Sequence, residues 1–111
     1  MSEKIKLVRN DTRPAIIATI TDEKTGEVIP LTTASQVVLK FRAAGSETLQ
    51  ATVTGVVTNA AGGVVTFFPS SAPEMLTGDA GDYEGEIEIT FADGTVQTVY
   101  DVLKFKVRED F

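Results

Sequence analysis

The acidic side chains are the residues of this sequence that could most readily do chemistry. Asp79 with Asp82, and Asp93 with Asp101, have the residue types that glycoside hydrolysis needs, where a carboxyl with a raised pKa faces an ionised one across a cleft. Asp79, Asp82 and Asp93 nevertheless lie in turn-like, Gly-containing segments, where Asp is favoured for backbone reasons. The sequence has no His and no Cys, so the commonest general base and the thiol nucleophile are both missing. We therefore predict that the chain is not an enzyme.

A row of glutamates is the one pattern that suggests a metal ion. Glu84, Glu86 and Glu88 alternate along one stretch, and alternate residues of a strand lie ~6.5–7 Å apart. That spacing is too wide for two of them to share a calcium ion, whose oxygen ligands lie at about 2.3–2.6 Å. Without His or Cys, zinc, copper and haem sites are also disfavoured. We predict no cofactor and no metal, and expect the glutamates to pair with Lys104, Lys106 or Arg108 on the strand that follows them.

The charge balance restricts the kinds of partner. The 111 residues include 16 acidic and 10 basic side chains, for a net charge of −6. Binding to nucleic acid needs a basic excess, so nucleic acid is not an expected partner. No apolar run approaches the ~20 residues of a membrane-spanning helix, and the first residues have no apolar signal region. We expect one domain over residues 1–111, made in the cytoplasm and not bound to a membrane.

Alternating apolar residues between closely spaced turn signals predict an all-β chain. About eight strands are predicted, over residues 4–8, 14–21, 27–31, 37–42, 49–57, 64–68, 82–91 and 96–108. Ser70 or Ser71 could cap a helical turn between residues 69 and 77, with Glu74 in capping-box position relative to Ser71. Hairpin signals at Gly26 and Asp93-Gly94 favour antiparallel pairing. The predicted fold is therefore an immunoglobulin-like, two-sheet antiparallel β-sandwich.

The segment Asp79-Ala-Gly-Asp-Tyr83 is the most informative short motif. In immunoglobulin-like sandwiches a Tyr near the start of a late strand donates its hydroxyl to the upstream backbone, an arrangement called a tyrosine corner. Here Gly81 would allow the tight turn and Asp79 would provide the backbone acceptor. We interpret Asp79, Gly81 and Tyr83 as a structural corner rather than a ligand site.

Basic residues at alternating strand positions suggest a partner surface. The candidate surface consists of the following residues: Lys40, Arg42, Lys104, Lys106, Arg108 and the terminal Phe111. Two interpretations remain open, one in which the cations only provide solubility and protect strand edges, and one in which they dock an acidic partner. Phe67 and Phe68 must point to opposite sheet faces, so one of them is predicted to be exposed. An exposed Phe or Tyr100 would also suit a carbohydrate-binding module.

Three segments follow one another in a characteristic order. The first is Ile5-Lys-Leu-Val-Arg-Asn-Asp-Thr12, a strand followed by a polar turn. The second is Gly26-Glu-Val-Ile-Pro-Leu-Thr-Thr-Ala34, which leads into Val37-Val-Leu-Lys-Phe-Arg42. The third is Ala80-Gly-Asp-Tyr-Glu-Gly-Glu-Ile-Glu-Ile-Thr-Phe-Ala-Asp-Gly94. In this order and spacing they resemble the N-terminal domain family of the phage baseplate upper protein, an immunoglobulin-like module of tail and baseplate proteins.

The resemblance implies a structural role in a bacteriophage virion, as a tail, baseplate, fibre-adaptor or decoration protein. It implies other virion proteins as partners, a homo-oligomeric assembly and no catalytic residues. Because the chain ends at Phe111, without the segments that follow this domain in baseplate upper proteins, we expect a connector or decoration module. The alternative function is a carbohydrate-binding module that contacts a host glycan.

Overall fold

Two β-sheets account for most of the chain. The computed structural model describes residues 5–11, 13–22, 24–99 and 102–109. The strands are β1 Ile5–Val8, β2 Ile16–Thr19, β3 Ala34–Ala43, β4 Leu49–Thr54, β5 Val56–Asn59, β6 Val64–Phe67, β7 Gly81–Phe91, β8 Val96–Thr98 and β9 Leu103–Arg108. Two short 3₁₀ helices, Pro69–Ser71 and Pro73–Leu76, lie between β6 and β7.

The strand order is that of an immunoglobulin sandwich. The larger sheet has the order β1-β9-β7-β3-β4, with β8 also paired to β7, and the smaller sheet has the order β2-β6-β5. Immunoglobulin sandwiches likewise place strands C, F and G in one sheet and B, E and D in the other, which correspond to β3, β7 and β9 and to β2, β6 and β5. The predicted all-β sandwich is confirmed, with nine described strands instead of about eight.

The core lies between the sheets because apolar residues alternate along the central strands. In the ladder between β3 and β7, Leu39 faces Ile87 and Phe41 faces Gly85. The smaller sheet contributes Ile16, Ala18, Val65 and Phe67 from its inner face. Further buried members of the core are Leu7, Ile20, Leu31, Val37, Val53, Met75, Leu76, Tyr83, Ile89, Phe105 and Val107.

Several predicted strand boundaries and pairings were wrong. Residues 27–31 do not form a strand, since the pairing there is an isolated bridge between Thr21 and Val28. The predicted strand over 96–108 divides into β8 and β9, which pair with successive parts of β7. The pairing is also not wholly antiparallel, because β1 runs parallel to β9. No side chain caps the N-terminus of either described 3₁₀ helix, and the Ser71 hydroxyl donates to the carbonyl of Phe68 instead.

Gly55 marks the point where the chain passes from one sheet to the other. Residues 49–57 were predicted as one strand, but β4 belongs to the larger sheet and β5 to the smaller. A Cβ atom on Gly55 would lie 2.5 Å from Val65 Cγ2 and 2.7 Å from Phe67 Cε1. The absence of a side chain therefore lets the backbone cross against the core at this point.

Replacing this glycine should strain the core. We expect Gly55→Ala to lower the free energy of unfolding by about 1–3 kcal/mol, because Val65 and Phe67 are fully buried and have little room to move. The exposed turn residue Glu47 provides the control, since Glu47→Ala should change stability by less than about 0.5 kcal/mol. Urea unfolding measures both, and a Gly55→Ala chain as stable as the wild type would contradict the packing argument.

Candidate functional site

The corner that precedes β7 is anchored by Tyr83. Its hydroxyl donates to the carbonyl oxygen of Asp79 at 2.6 Å, which is the geometry of a tyrosine corner. Gly81 has φ +145°, a backbone conformation that glycine adopts readily. The Tyr83 ring stacks on Phe41, with ring centroids 4.8 Å apart and an interplanar angle of 7°. The structure therefore brings together the three residues of the predicted corner and joins them to the core.

Arg9 ties this corner to the end of β1. Its Nε donates to the carbonyl oxygen of Gly78 at 2.8 Å, and its Nη1 lies 3.0 Å from Glu109 Oε1. No local pattern in the sequence indicates the role of Arg9, because its hydrogen bond to Gly78 spans 69 positions. The guanidinium group of Arg9, which follows β1, thus links Glu109, which follows β9, to the corner loop.

Removing the corner hydroxyl should destabilise the fold without disturbing the aromatic stack. We expect Tyr83→Phe to lower the free energy of unfolding by about 0.5–1.5 kcal/mol, because the part-buried hydrogen bond to the Asp79 carbonyl is lost while the ring stays on Phe41. Urea unfolding monitored by circular dichroism measures the difference. Equal stability of the two proteins would show that the hydrogen bond contributes nothing.

Tyr83 should also make the free energy of unfolding vary with pH in the alkaline range. Burial of the Tyr83 phenol, and next the nearby charge of Asp79, raise its pKa above the ordinary value of 10.0. The folded chain therefore holds the proton more tightly than the unfolded chain, and this stabilisation is present below pH 10 and lost as the pH rises above it. The stability advantage of the wild type over Tyr83→Phe should thus shrink above pH 10. A difference that stays constant from pH 7 to pH 11 would contradict this assignment.

The outer face of the larger sheet is divided into rows of opposite charge. Lys40 and Arg42 point outward from β3, and Lys104, Lys106 and Arg108 point outward from β9. Because β7 lies between these strands, its outward residues Asp82, Glu84, Glu86 and Glu88 separate the two basic rows. The basic residues of the candidate partner surface therefore lie in two rows of the same sheet face, with an acidic row between them.

The basic row on β3 is neutralised by the acidic row. Arg42 Nη2 and Glu84 Oε1 are 2.8 Å apart, and Lys40 Nζ and Glu88 Oε2 are 3.1 Å apart. The sequence had assigned the glutamates to cations of the last strand, and the pair found there is the looser contact of 3.8 Å between Lys106 and Asp82. Such exposed pairs contribute about 0–1 kcal/mol each. These contacts occupy Lys40 and Arg42 and leave them less available to a partner.

The cations on β9 meet a further cation from β1. We call this group, formed by Lys6, Lys104, Lys106 and Arg108, the basic edge. Lys6 lies directly opposite Lys106 in the parallel ladder between β1 and β9, and Val8 lies opposite Arg108. Within the described ranges, neither Lys6 nor Lys104 lies within ion-pair distance of a carboxylate. A groove of about 310 Å³ runs along this edge, between Lys6, Leu7, Val8, Lys106 and Arg108.

The carboxylates considered for acid–base chemistry have turn-building contacts. Thr95 donates to Asp93 Oδ1 through its hydroxyl at 2.6 Å and its backbone N–H at 3.0 Å. These bonds lower the pKa of Asp93, the opposite of the raised pKa that a general acid needs. Its proposed partner Asp101 lies outside the described residues. Across the part of the chain that the structure describes, no three acidic side chains group as metal ligands.

Of the aromatic residues considered for glycan binding, Phe68 is the exposed one. Phe67 is fully buried, whereas 41% of Phe68 is exposed, as expected for neighbours on opposite sheet faces. The described ring–ring contacts, of Phe41 with Tyr83 and with Phe105, lie in the core. Tyr100 and Phe111 lie outside the described residues.

The comparisons with known proteins give no relative from which a function could be transferred. No protein-family model and no curated protein sequence matches the chain. In the described ranges, the structure contains no helix with the length and apolar character needed to span a bilayer. We therefore infer the function from the charged outer face of the larger sheet and from the resemblance of the three sequence segments.

Proposed function

We propose that the chain is a non-enzymatic structural protein of a bacteriophage virion, which holds an acidic surface of a neighbouring virion protein against its basic edge. The observation that carries this proposal is the direct opposition of Lys6 and Lys106 across the β1–β9 ladder. Like charges placed opposite each other destabilise a sheet. Asp82 offsets part of this repulsion at 3.8 Å from Lys106, whereas the cations of β3 lie closer to the carboxylates of β7, at 2.8 and 3.1 Å.

An acidic partner would convert this local repulsion into attraction. Carboxylates bound in the groove would lie close to the ammonium groups of Lys6 and Lys106 and the guanidinium group of Arg108. The apolar groove wall includes Leu7 and Val8, and the exclusion of water against such a wall strengthens ionic contacts. Electrostatic complementarity of this kind fixes the orientation of a partner and speeds its association. Such a contact suits a virion structural protein that acts through protein–protein contacts.

The order of the sequence segments supports the virion as the setting. The strand with its polar turn at residues 5–12, the central strand at 37–42 and the corner with its hairpin at 80–94 resemble the phage baseplate upper protein module. In the folded chain these segments supply β1, β3 and β7, which are neighbours or near neighbours in the larger sheet. The resemblance therefore concerns the same sheet whose edge we propose as the docking surface.

The proposal predicts that charge reversal at the basic edge prevents incorporation into particles. A phage that lacks the gene for this chain would be complemented with the wild type, with Lys6→Glu/Lys106→Glu, or with Lys24→Glu. Lys24 is an exposed cation in the loop between β2 and β3 and serves as the matched control. We expect the double variant to be at least tenfold depleted from purified particles, measured by quantitative mass spectrometry, and Lys24→Glu to be incorporated normally.

Two results would contradict different parts of the proposal. Absence of the wild-type chain from particles, by mass spectrometry and by immunogold labelling, would refute the virion role. Normal incorporation of a correctly folded double variant would leave the virion role intact and refute the basic edge as the docking surface.

A further inference from the structure

The strand β1 has one paired side and one open side. It consists of the four residues Ile5–Val8 and pairs with β9. Within the described ranges, no strand pairs with its other side, so β1 is an edge of the larger sheet. The backbone N–H and C=O groups of such an edge can bond to a further strand. An extended segment can therefore lengthen the sheet at β1.

The contact after β1 shows which backbone groups point to the open side. The N–H of Arg9 donates to the carbonyl oxygen of Arg108 at 2.9 Å, so the backbone of Arg9 faces β9. Successive residues of a strand direct their backbone groups to alternate sides, so Leu7 also faces β9, whereas Lys6 and Val8 face the open side. In the described part of the chain, no backbone acceptor bonds to the N–H of Lys6 or Val8.

The charge at this edge distinguishes it from the other strand edges. Among the described strands, β2, β4, β5 and β8 also lie at edges, and none of them contains a charged residue. In contrast, β1 contains Lys6, with Lys106 opposite it on β9. A lysine at an edge ordinarily prevents pairing with other strands. An acidic strand, however, gains ion pairs from the same cations, so this edge selects its occupant by charge.

The side chains along β1 specify the pattern of the added strand. Lys6 points outward, whereas Ile5 points inward and packs, partly buried, at the margin of the core. The side chains of an added strand alternate in the same way, so its outward residues would lie beside Lys6 and its inward residues beside Ile5. Neighbouring strands are ~4.8 Å apart, which brings an outward carboxylate within reach of the Lys6 ammonium group. The matching sequence therefore alternates acidic and apolar residues.

We propose that the basic edge binds an extended segment of alternating acidic and apolar residues, which adds to β1 as a further strand of the larger sheet. This inference rests on the proposed function, and it specifies the form of the acidic partner. Backbone bonds to Lys6 and Val8 supply affinity, and carboxylates beside Lys6 and Lys106 supply selectivity. The net charge of −6 repels an acidic segment elsewhere, so the local cations also direct it to β1.

Titration of the isotope-labelled full chain with a short peptide, followed by NMR, tests this proposal. The probe is a capped six-residue peptide of alternating Val and Glu. We expect the amide proton signals of Lys6 and Val8 to move downfield, because both groups gain an acceptor, and the amide signals of the β4 edge to stay in place. A peptide of alternating Val and Lys should not bind.

Two N-methylated forms of the acidic peptide separate strand addition from charge attraction alone. One is methylated at the backbone nitrogens of its Glu residues and the other at those of its Val residues, so both keep the charge of the parent peptide. Only one set of amides faces β1, because backbone groups alternate in direction. We therefore expect one form to bind at least tenfold more weakly than the parent and the other to bind about as well.

Substitutions in the chain test the selectivity. Lys6→Gln should weaken binding of the acidic peptide at least tenfold, whereas Lys24→Gln, at an exposed position in the loop between β2 and β3, should leave it unchanged. Equal loss of affinity in both variants would overturn the proposed selectivity.

Three results would overturn strand addition itself. These are no binding of the acidic peptide at millimolar concentration, equal affinity of the parent and both N-methylated forms, and amide shifts confined to the β4 edge. Incorporation of the Lys6→Glu/Lys106→Glu variant into particles is measured independently of the peptide. A peptide that binds without strand addition would leave charge docking at the basic edge intact, so this proposal and the proposed function can fail separately.

Discussion

Phe41 packs against two aromatic residues, Tyr83 and Phe105, and the alignment of the strands of the larger sheet depends on these contacts. Phe41 lies parallel to Tyr83 at 4.8 Å and meets Phe105 edge-on at 5.1 Å, which joins β3, β7 and β9 at one level. Because successive strand residues point to opposite faces, a shift of one residue in any of these strands would turn its core residues outward. The aromatic contacts therefore also determine which charged residues meet on the outer face.

The division of the outer surface follows from this alignment. With the rings of Phe41, Tyr83 and Phe105 inward, the residues between them must point outward, and these are the cations of β3 and β9 and the carboxylates of β7. The smaller sheet has the same inward alternation, but its outward positions hold Thr and aliphatic residues. The sandwich thus combines a larger sheet with charged outward rows and a smaller sheet whose strands contain no charged residue.

Local patterns in the sequence predicted the fold class and the corner, but they did not predict how the strands are arranged. Alternation of apolar residues indicated the all-β sandwich, and the spacing from Asp79 to Tyr83 indicated the corner. The passage between sheets at Gly55 was missed, because the apolar alternation continues through Val57 without a break. The separation of the basic rows was missed for a related reason, since the position of β7 between β3 and β9 is a property of the topology and leaves no local signal.

We propose that Lys6 and Lys106 of the basic edge contact an acidic surface of a neighbouring virion protein. Carbodiimide cross-linking of purified particles tests this contact most directly, because the reagent joins lysine amines to carboxylates that lie against them. We expect cross-links from Lys6 and Lys106 to Asp or Glu residues of a different virion protein, and none from the exposed Lys24. Cross-links from Lys24 with none from Lys6 or Lys106 would contradict the proposed contact.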